Sequence, residues 1–224
     1  VIGRSDEEIN EAFDKDASVL SNEELLYAAT LTNDNARKEA IYKKATEMYP
    51  SDARAYNNLG KLAYAAGDRA TAEKYFKEAL SKNANSAEAN TNLGLVELAK
   101  GNVANAENYL SKSTGADAAN EALGNLYIKQ GQYDRAVAAF GDTKSNSAAL
   151  AQILAKDYNK AKNTLNAVKN PDAYTDYLMA IVGARTNNAD LVKSSMAKVA
   201  KKDATLAAKA QLDREFAKYA NEIK

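Results

Sequence analysis

Apolar positions along this 224-residue chain recur at helical spacing, and the pattern itself repeats. Leu59, Leu62 and Ala63 share one face of a predicted helix over residues 53–66. Ala72, Tyr75, Phe76, Ala79 and Leu80 share one face of a second over 68–82. Gly67 and Asp68 predict the turn between them, glycine ending one helix in the left-handed conformation and aspartate capping the next. The landmarks Tyr56, Leu59, Gly60, Gly67, Ala72 and Phe76 return 34 residues later as Asn90, Leu93, Gly94, Gly101, Ala106 and Leu110. They return again after 30 more as Asn120, Leu123, Gly124, Gly131, Ala136 and Phe140. A period of this length signals stacked helical hairpins, each sharing its core with its neighbours. Gly60, Gly94 and Gly124 fall in mid-helix, where glycine costs about 1 kcal/mol against alanine. A recurrent cost implies a packing reason, a second helix crossing too close for a Cβ.

The same reading extends outward with less regularity. Ser21–Glu24 forms a capping box that starts a helix, and the segment closes on Tyr42, Ala45 and Pro50, although Leu26 and Lys38 replace the landmark glycine and alanine. After the third unit, Tyr158, Ala161 and Leu165 echo Tyr133, Ala136 and Phe140 at a spacing of 25, which requires a short first helix over 145–155. A further pair places Tyr174, Tyr177, Leu178 and Ile181 on one helix and Leu191, Met196 and Val199 on the next. Ala208, Leu212, Phe216, Tyr219 and Ile223 form a stripe that predicts a C-terminal capping helix over 203–223. Residues 1–20, with a capping box at Ser5–Glu8, read as an acidic capping segment, leaving 21–224 as the solenoid. The four residues lost between the second and third units are expected at the turn around Gly115. Strand-like runs with period two are missing, so the expected class is all-α.

The clearest repeats, 53–86, 87–114 and 117–142, resemble the tetratricopeptide repeat. The first carries Tyr56, Leu59-Gly60, Ala63, Ala72, Phe76 and Ala79. The second carries Asn90, Leu93-Gly94, Glu97, Ala106, Leu110 and Ser113. The third carries Leu123-Gly124, Tyr127, Ala136 and Phe140. The resemblance implies a right-handed superhelical solenoid of antiparallel helix pairs. It also implies a concave groove lined by the first helix of each repeat: Arg54, Asn57, Asn58, Lys61 and Tyr64, then Glu88, Thr91, Asn92, Leu95 and Leu98, then Glu121, Asn125 and Ile128. Such a groove would hold a protein or peptide segment. Asparagine amides could bond its backbone as donor and acceptor, while Leu95, Leu98 and Ile128 received its side chains. The family's two-carboxylate clamp is incomplete, because Asn57 stands where a lysine belongs and Ala118 and Ala122 where bases belong. Asn58 and Asn92 are expected to bond the backbone of an adjacent helix instead.

Composition narrows the chemistry. With no histidine and no cysteine, imidazole bases, thiol nucleophiles and the usual zinc ligands are all missing. No phosphate-cradling glycine loop occurs. The expectation is therefore a non-catalytic scaffold or adaptor without cofactor or metal. Thirty bases and thirty acids cancel, which leaves no global field to collect nucleic acid or anionic lipid. Tyr42, Tyr56, Tyr75 and Tyr127 read as core residues, and no basic stripe makes the tyrosines a base-stacking platform. No apolar run approaches about 18 residues, so no direct membrane insertion is expected. The charge is uneven, with eight acids against two bases in residues 1–24 and eight bases against four acids in 193–224. The ends read as solvated, or else as an end-to-end contact between molecules or with a neighbouring domain. An alternative role, a structural arm of a larger cell-envelope or secretion-associated protein that grips neighbouring domains, is supported by the missing initiator methionine and the irregular fourth and fifth units. The start at Val1 reads as a processed chain or a fragment of a longer one. The abundance of Lys, Asn, Ala and Tyr leans toward a bacterial, exported protein.

Overall fold

A computed structural model describes residues 3–113 and 116–224, and every regular element among them is helical: fourteen α-helices and two short 3-10 segments. The chain divides into two compact units, Val1–Ala119 and Asn120–Lys224. The first holds α1 (Asp6–Asp16), a 3-10 turn (Ala17–Val19) and three hairpins. These pair α2 (Asn22–Thr30) with α3 (Asn35–Met48), α4 (Ala53–Ala65) with α5 (Arg69–Lys82), and α6 (Ala87–Ala99) with α7 (Val103–Ser111). Then α8 (Asp117–Lys129), whose first turn belongs to the first unit, precedes α9 (Tyr133–Phe140). The second unit continues with α10 (Asn146–Leu154) on α11 (Tyr158–Asn166), α12 (Ala173–Arg185) on α13 (Ala189–Lys202), α14 (Ala204–Ala210) and a 3-10 segment (Arg214–Tyr219). The fold is the expected all-α solenoid of antiparallel helix pairs. Thr114 and Gly115, where the shortened turn is expected, lie outside the described residues.

Local chemistry starts and stops these helices. Both predicted capping boxes form: Ser5 Oγ accepts the Glu8 N–H at 3.2 Å and Ser21 Oγ the Glu24 N–H at 3.1 Å, while each glutamate accepts the serine N–H. A cap of this kind is worth about 1 kcal/mol. One hairpin turn is then used five times. Three residues past the end of the first helix, an N–H donates to the carbonyl five residues back: Asp68 to Ala63, Asn102 to Glu97, Gln132 to Tyr127, Asp157 to Gln152 and Asn188 to Gly183, all at 2.8–2.9 Å. The residue before each donor is left-handed. In three turns it is glycine, with φ of 85° at Gly67, 82° at Gly101 and 73° at Gly131. In the last two it is Lys156 at 66° and Asn187 at 56°. The turn therefore outlives its glycine, with a Cβ now held in a region that disfavours it.

The mid-helix glycines sit where the crossing requires them. A Cβ on Gly60 would lie 2.5 Å from the Phe76 ring, and one on Gly94 2.7 Å from Leu110. A Cβ on Gly124 would enter the Phe140 ring in the same way. All three crossing side chains are buried. Gly183 in α12 is a fourth such position that the period does not flag, because it lies near the helix end. A Cβ there would meet the Val192 backbone nitrogen at 2.9 Å.

Each unit buries its own core. In the first, Ile9 and Leu20 close over Leu25, Ala28, Ile41 and Ala45, with Ala12 and Phe13 packed beside them, so α1 and the 3-10 turn cover that core while most of their residues stay exposed. Ile41 and Ala45 are the fully buried residues of α3, whereas Tyr42 is half-buried. At the far end of the second unit, Val192, Met196 and Val199 pack with Ala210, Phe216, Tyr219 and Ile223. The continuous helix expected over 203–223 is two pieces. Ala208 is exposed and Leu212 is 88% exposed, whereas Phe216, Tyr219 and Ile223 turn inward. Asp213 makes the break, accepting the Glu215 N–H at 2.9 Å and also the Tyr177 hydroxyl. A short acidic side chain that bonds nearby N–H groups competes with helix continuation. The bend lets Phe216 meet the edge of Tyr177, with ring centroids 5.4 Å apart. Upstream, Asp203 belongs to two helices at once: its N–H donates to Val199 at the end of α13, and its carboxylate accepts the Leu206 N–H at 3.0 Å to start α14.

Two stability outcomes follow from these contacts. Gly94→Leu overpacks the α6–α7 crossing and should cost about 1–3 kcal/mol in denaturant unfolding. A variant as stable as the parent would remove the packing account of these glycines. Lys156→Gly relieves a left-handed, exposed Cβ and should raise stability by about 0.5–1 kcal/mol. Asn187→Gly should gain less, since Asn187 also accepts a hydrogen bond from Lys218 at 3.1 Å.

Candidate protein-binding surface

The expected lining residues of α4 and α6 separate into two groups. Toward the helix N-termini, the side chains serve the fold. Arg54 is clamped by Asp52 at 2.8 Å and Glu23 at 2.6 Å, and these carboxylates raise its already high pKa. Its guanidinium in turn holds Asp52 and Glu23 below the usual carboxylate range. Asn57 is buried rather than groove-facing. Its amide donates to Glu88 at 3.5 Å and accepts from Asn92 at 3.0 Å, forming a directed string Asn92→Asn57→Glu88 across the two helices. Asn92 thus bonds a side chain of the neighbouring helix, not its backbone as expected. Thr91 is also buried, its hydroxyl returned to the Ala87 carbonyl at 2.7 Å. Asn58 is half-buried.

One turn further along, the surface opens into an apolar cleft of about 450 Å³ lined by Lys61, Tyr64, Ala65, Phe76, Asn92, Leu95 and Val96. Tyr64 is 45% and Leu95 37% exposed, high for large apolar side chains. Phe76 reads from sequence as part of the apolar face of the second helix. Phe76 reaches the cleft because Gly60 lets its ring lie across α4, a consequence that spacing alone does not announce. Leu98 is half-buried and lies outside this lining. Behind the cleft, Glu97 is a buried carboxylate that Asn102 contacts at 2.8 Å, with Asn105 and Lys100 each at 3.5 Å. These partners hold its pKa low and tie α6 to the start of α7, a structural rather than a chemical duty.

The remaining expected residues belong to the second unit. Glu121 accepts from the Ser145 hydroxyl at 3.1 Å, linking α8 to the N-cap of α10. Asn125 is half-buried, and Ile128 packs against the cluster of Tyr127, Ala136 and Phe140. Among the described residues no cluster of His, Cys, Asp or Glu could hold a metal ion. No described helix is long and apolar enough to cross a membrane.

Comparison with known proteins agrees with the repeat geometry. The tetratricopeptide-repeat pattern matches residues 33–80 and 58–121, and a second pattern of the same repeat matches 119–142. No curated protein sequence matches at a significant level. Among solved structures, YrrB, a tetratricopeptide-repeat protein described as having an unusual peptide-binding site, aligns over 77% of this chain and 98% of its own, at 20% identity and a TM-score of 0.59. Pseudomonas aeruginosa pilF aligns over 96% of this chain and 99% of its own, at 15% identity and a TM-score of 0.64. PilW, a type IV pilus biogenesis factor, aligns over 93% and 99%, at 19% identity and a TM-score of 0.55. These likenesses concern the fold. The chain belongs to the tetratricopeptide-repeat proteins, helical scaffolds that are generally non-catalytic and bind protein or peptide partners.

Proposed function

We propose that this protein is a non-catalytic adaptor that holds a segment of a partner protein on the α4–α6 face of its first unit. The observation that carries the reading is the cleft in which two exposed apolar side chains, Tyr64 and Leu95, meet over a floor of Phe76 and Val96. Solvated apolar surface gathered in a concavity is the ordinary mark of a binding site. Covering two half-exposed side chains yields on the order of 2–3 kcal/mol. A millimolar complex needs about 4 kcal/mol. Hydrogen bonds to the bound backbone must supply the rest, and Asn92 at the cleft wall is placed for that. The remainder of the expected lining contributes shape, because Arg54, Asn57 and Thr91 are already engaged within the fold.

A second reading, a structural arm that grips neighbouring domains, is favoured by one feature of the second unit. Leu212 is 88% exposed beside a cleft of about 340 Å³ whose lining includes Ala197, Ala200, Ala207 and Ala208. The two readings separate in a pull-down from native extract with single variants. Under the adaptor reading, Leu95→Asp weakens partner capture by at least about 2 kcal/mol while the circular dichroism spectrum is unchanged, and Leu212→Asp leaves capture intact. Leu98→Asp, outside the cleft lining, should do less than Leu95→Asp. Full retention of every partner by Leu95→Asp, with loss in Leu212→Asp, would make the arm the correct account.

A further inference from the structure

The α4–α6 cleft carries one charge whose treatment differs from that of its neighbours. The two helices and the α6 C-cap hold three cations: Arg54, Lys61 and Lys100. Arg54 is paired with Asp52 and Glu23. Lys100 is paired with Glu73 at 3.1 Å and Glu97 at 3.5 Å. The Lys61 ammonium forms no ion pair or hydrogen bond among the described residues, and Lys61 is the one charged residue lining the cleft. Two of these three cations are thus each paired with two carboxylates from within the chain, and the Lys61 ammonium at the cleft is left for whatever arrives.

Resting on the groove reading above, we infer that the segment this cleft accepts carries a carboxylate next to its apolar anchor: an aspartate or glutamate adjoining a leucine-like side chain. The reason is desolvation. A ligand that covers Tyr64 and Leu95 strips water from the Lys61 ammonium beside them, and an ammonium that loses water without gaining a partner is penalised. A neutral ligand bears that penalty, a basic one adds repulsion, and an acidic one removes both. The aliphatic stem of Lys61 extends the apolar wall, so a ligand seated against that wall partly covers the ammonium at its end. Asn92 fits the same occupant. Its side-chain N–H donates to Asn57 at 3.0 Å, and its side-chain carbonyl oxygen makes no hydrogen bond among the described residues, so it can accept an N–H from the bound backbone.

The test uses the whole chain, labelled with ¹⁵N, and three end-blocked hexapeptides, Gly-Gly-Leu-X-Gly-Gly with X as aspartate, asparagine or lysine. NMR titration reads the amide shifts of Lys61, Asn92 and Leu95. The aspartate peptide should bind about three-fold tighter than the asparagine peptide, the advantage expected of a rim ion pair, and the lysine peptide weakest. The advantage should vanish in about 1 M salt, where the screening length falls to about 3 Å. Lys61→Glu should reverse the order, and Lys61→Met should abolish the charge preference while keeping leucine binding. Equal binding of all three peptides to the parent chain overturns the acid preference and leaves the groove reading standing. Absence of any shift at Leu95 with all three overturns both.

Discussion

A side chain laid into the notch left by a missing Cβ is the contact on which this molecule depends. Phe76 on Gly60, Leu110 on Gly94 and Phe140 on Gly124 set how closely the two helices of a hairpin approach. Mid-helix glycine sacrifices about 1 kcal/mol of helix propensity. The return is a ring or branched side chain buried in native-density packing, which is worth more. The same contact reaches the surface. The Phe76 ring that fills the Gly60 notch also floors the cleft between α4 and α6, so core and candidate binding face share atoms. A substitution that loosens the crossing therefore reshapes the cleft, even though it touches no exposed residue.

Much of this architecture is written in the spacing. The Leu-Gly pair, the capping residues and the 25-residue fourth interval place α4, α5 and α10 within a residue of their observed ends. Spacing works there because helical phase decides which residues face inward. What it does not decide is which polar group a side chain chooses. Asn57 and Thr91 hold the phase of groove residues, yet one bonds across to α6 and the other back to its own helix. The clamp on Arg54 draws on Glu23, 31 residues earlier, a relation no local pattern carries. The end of the chain misled for a related reason. Ala208, Leu212 and Phe216 keep helical phase, but Asp213 supplies a competing set of hydrogen bonds that ends the phase between them.

Polar groups on the α4–α6 face divide between two duties. The string Asn92→Asn57→Glu88 and the Arg54 cluster join neighbouring hairpins and leave little hydrogen-bonding capacity on offer. Buried Glu97 does the same behind α6. Such networks specify a unique arrangement when every member is satisfied. The cleft is the part of the face that these bonds do not reach, and so the part free to be selective.

Asp203 has a mechanical consequence. It ends α13 with its backbone N–H and begins α14 with its carboxylate, so no residue of slack separates the two helices. A linker of several residues would act as a hinge and dissipate a sideways load as bending. A joint one residue long, hydrogen-bonded to both arms, behaves as a welded elbow. The direction of α14 is thereby tied to that of α13, while Asp213 on Tyr177 and Glu215 on Arg185 fasten the segment beyond it directly to α12.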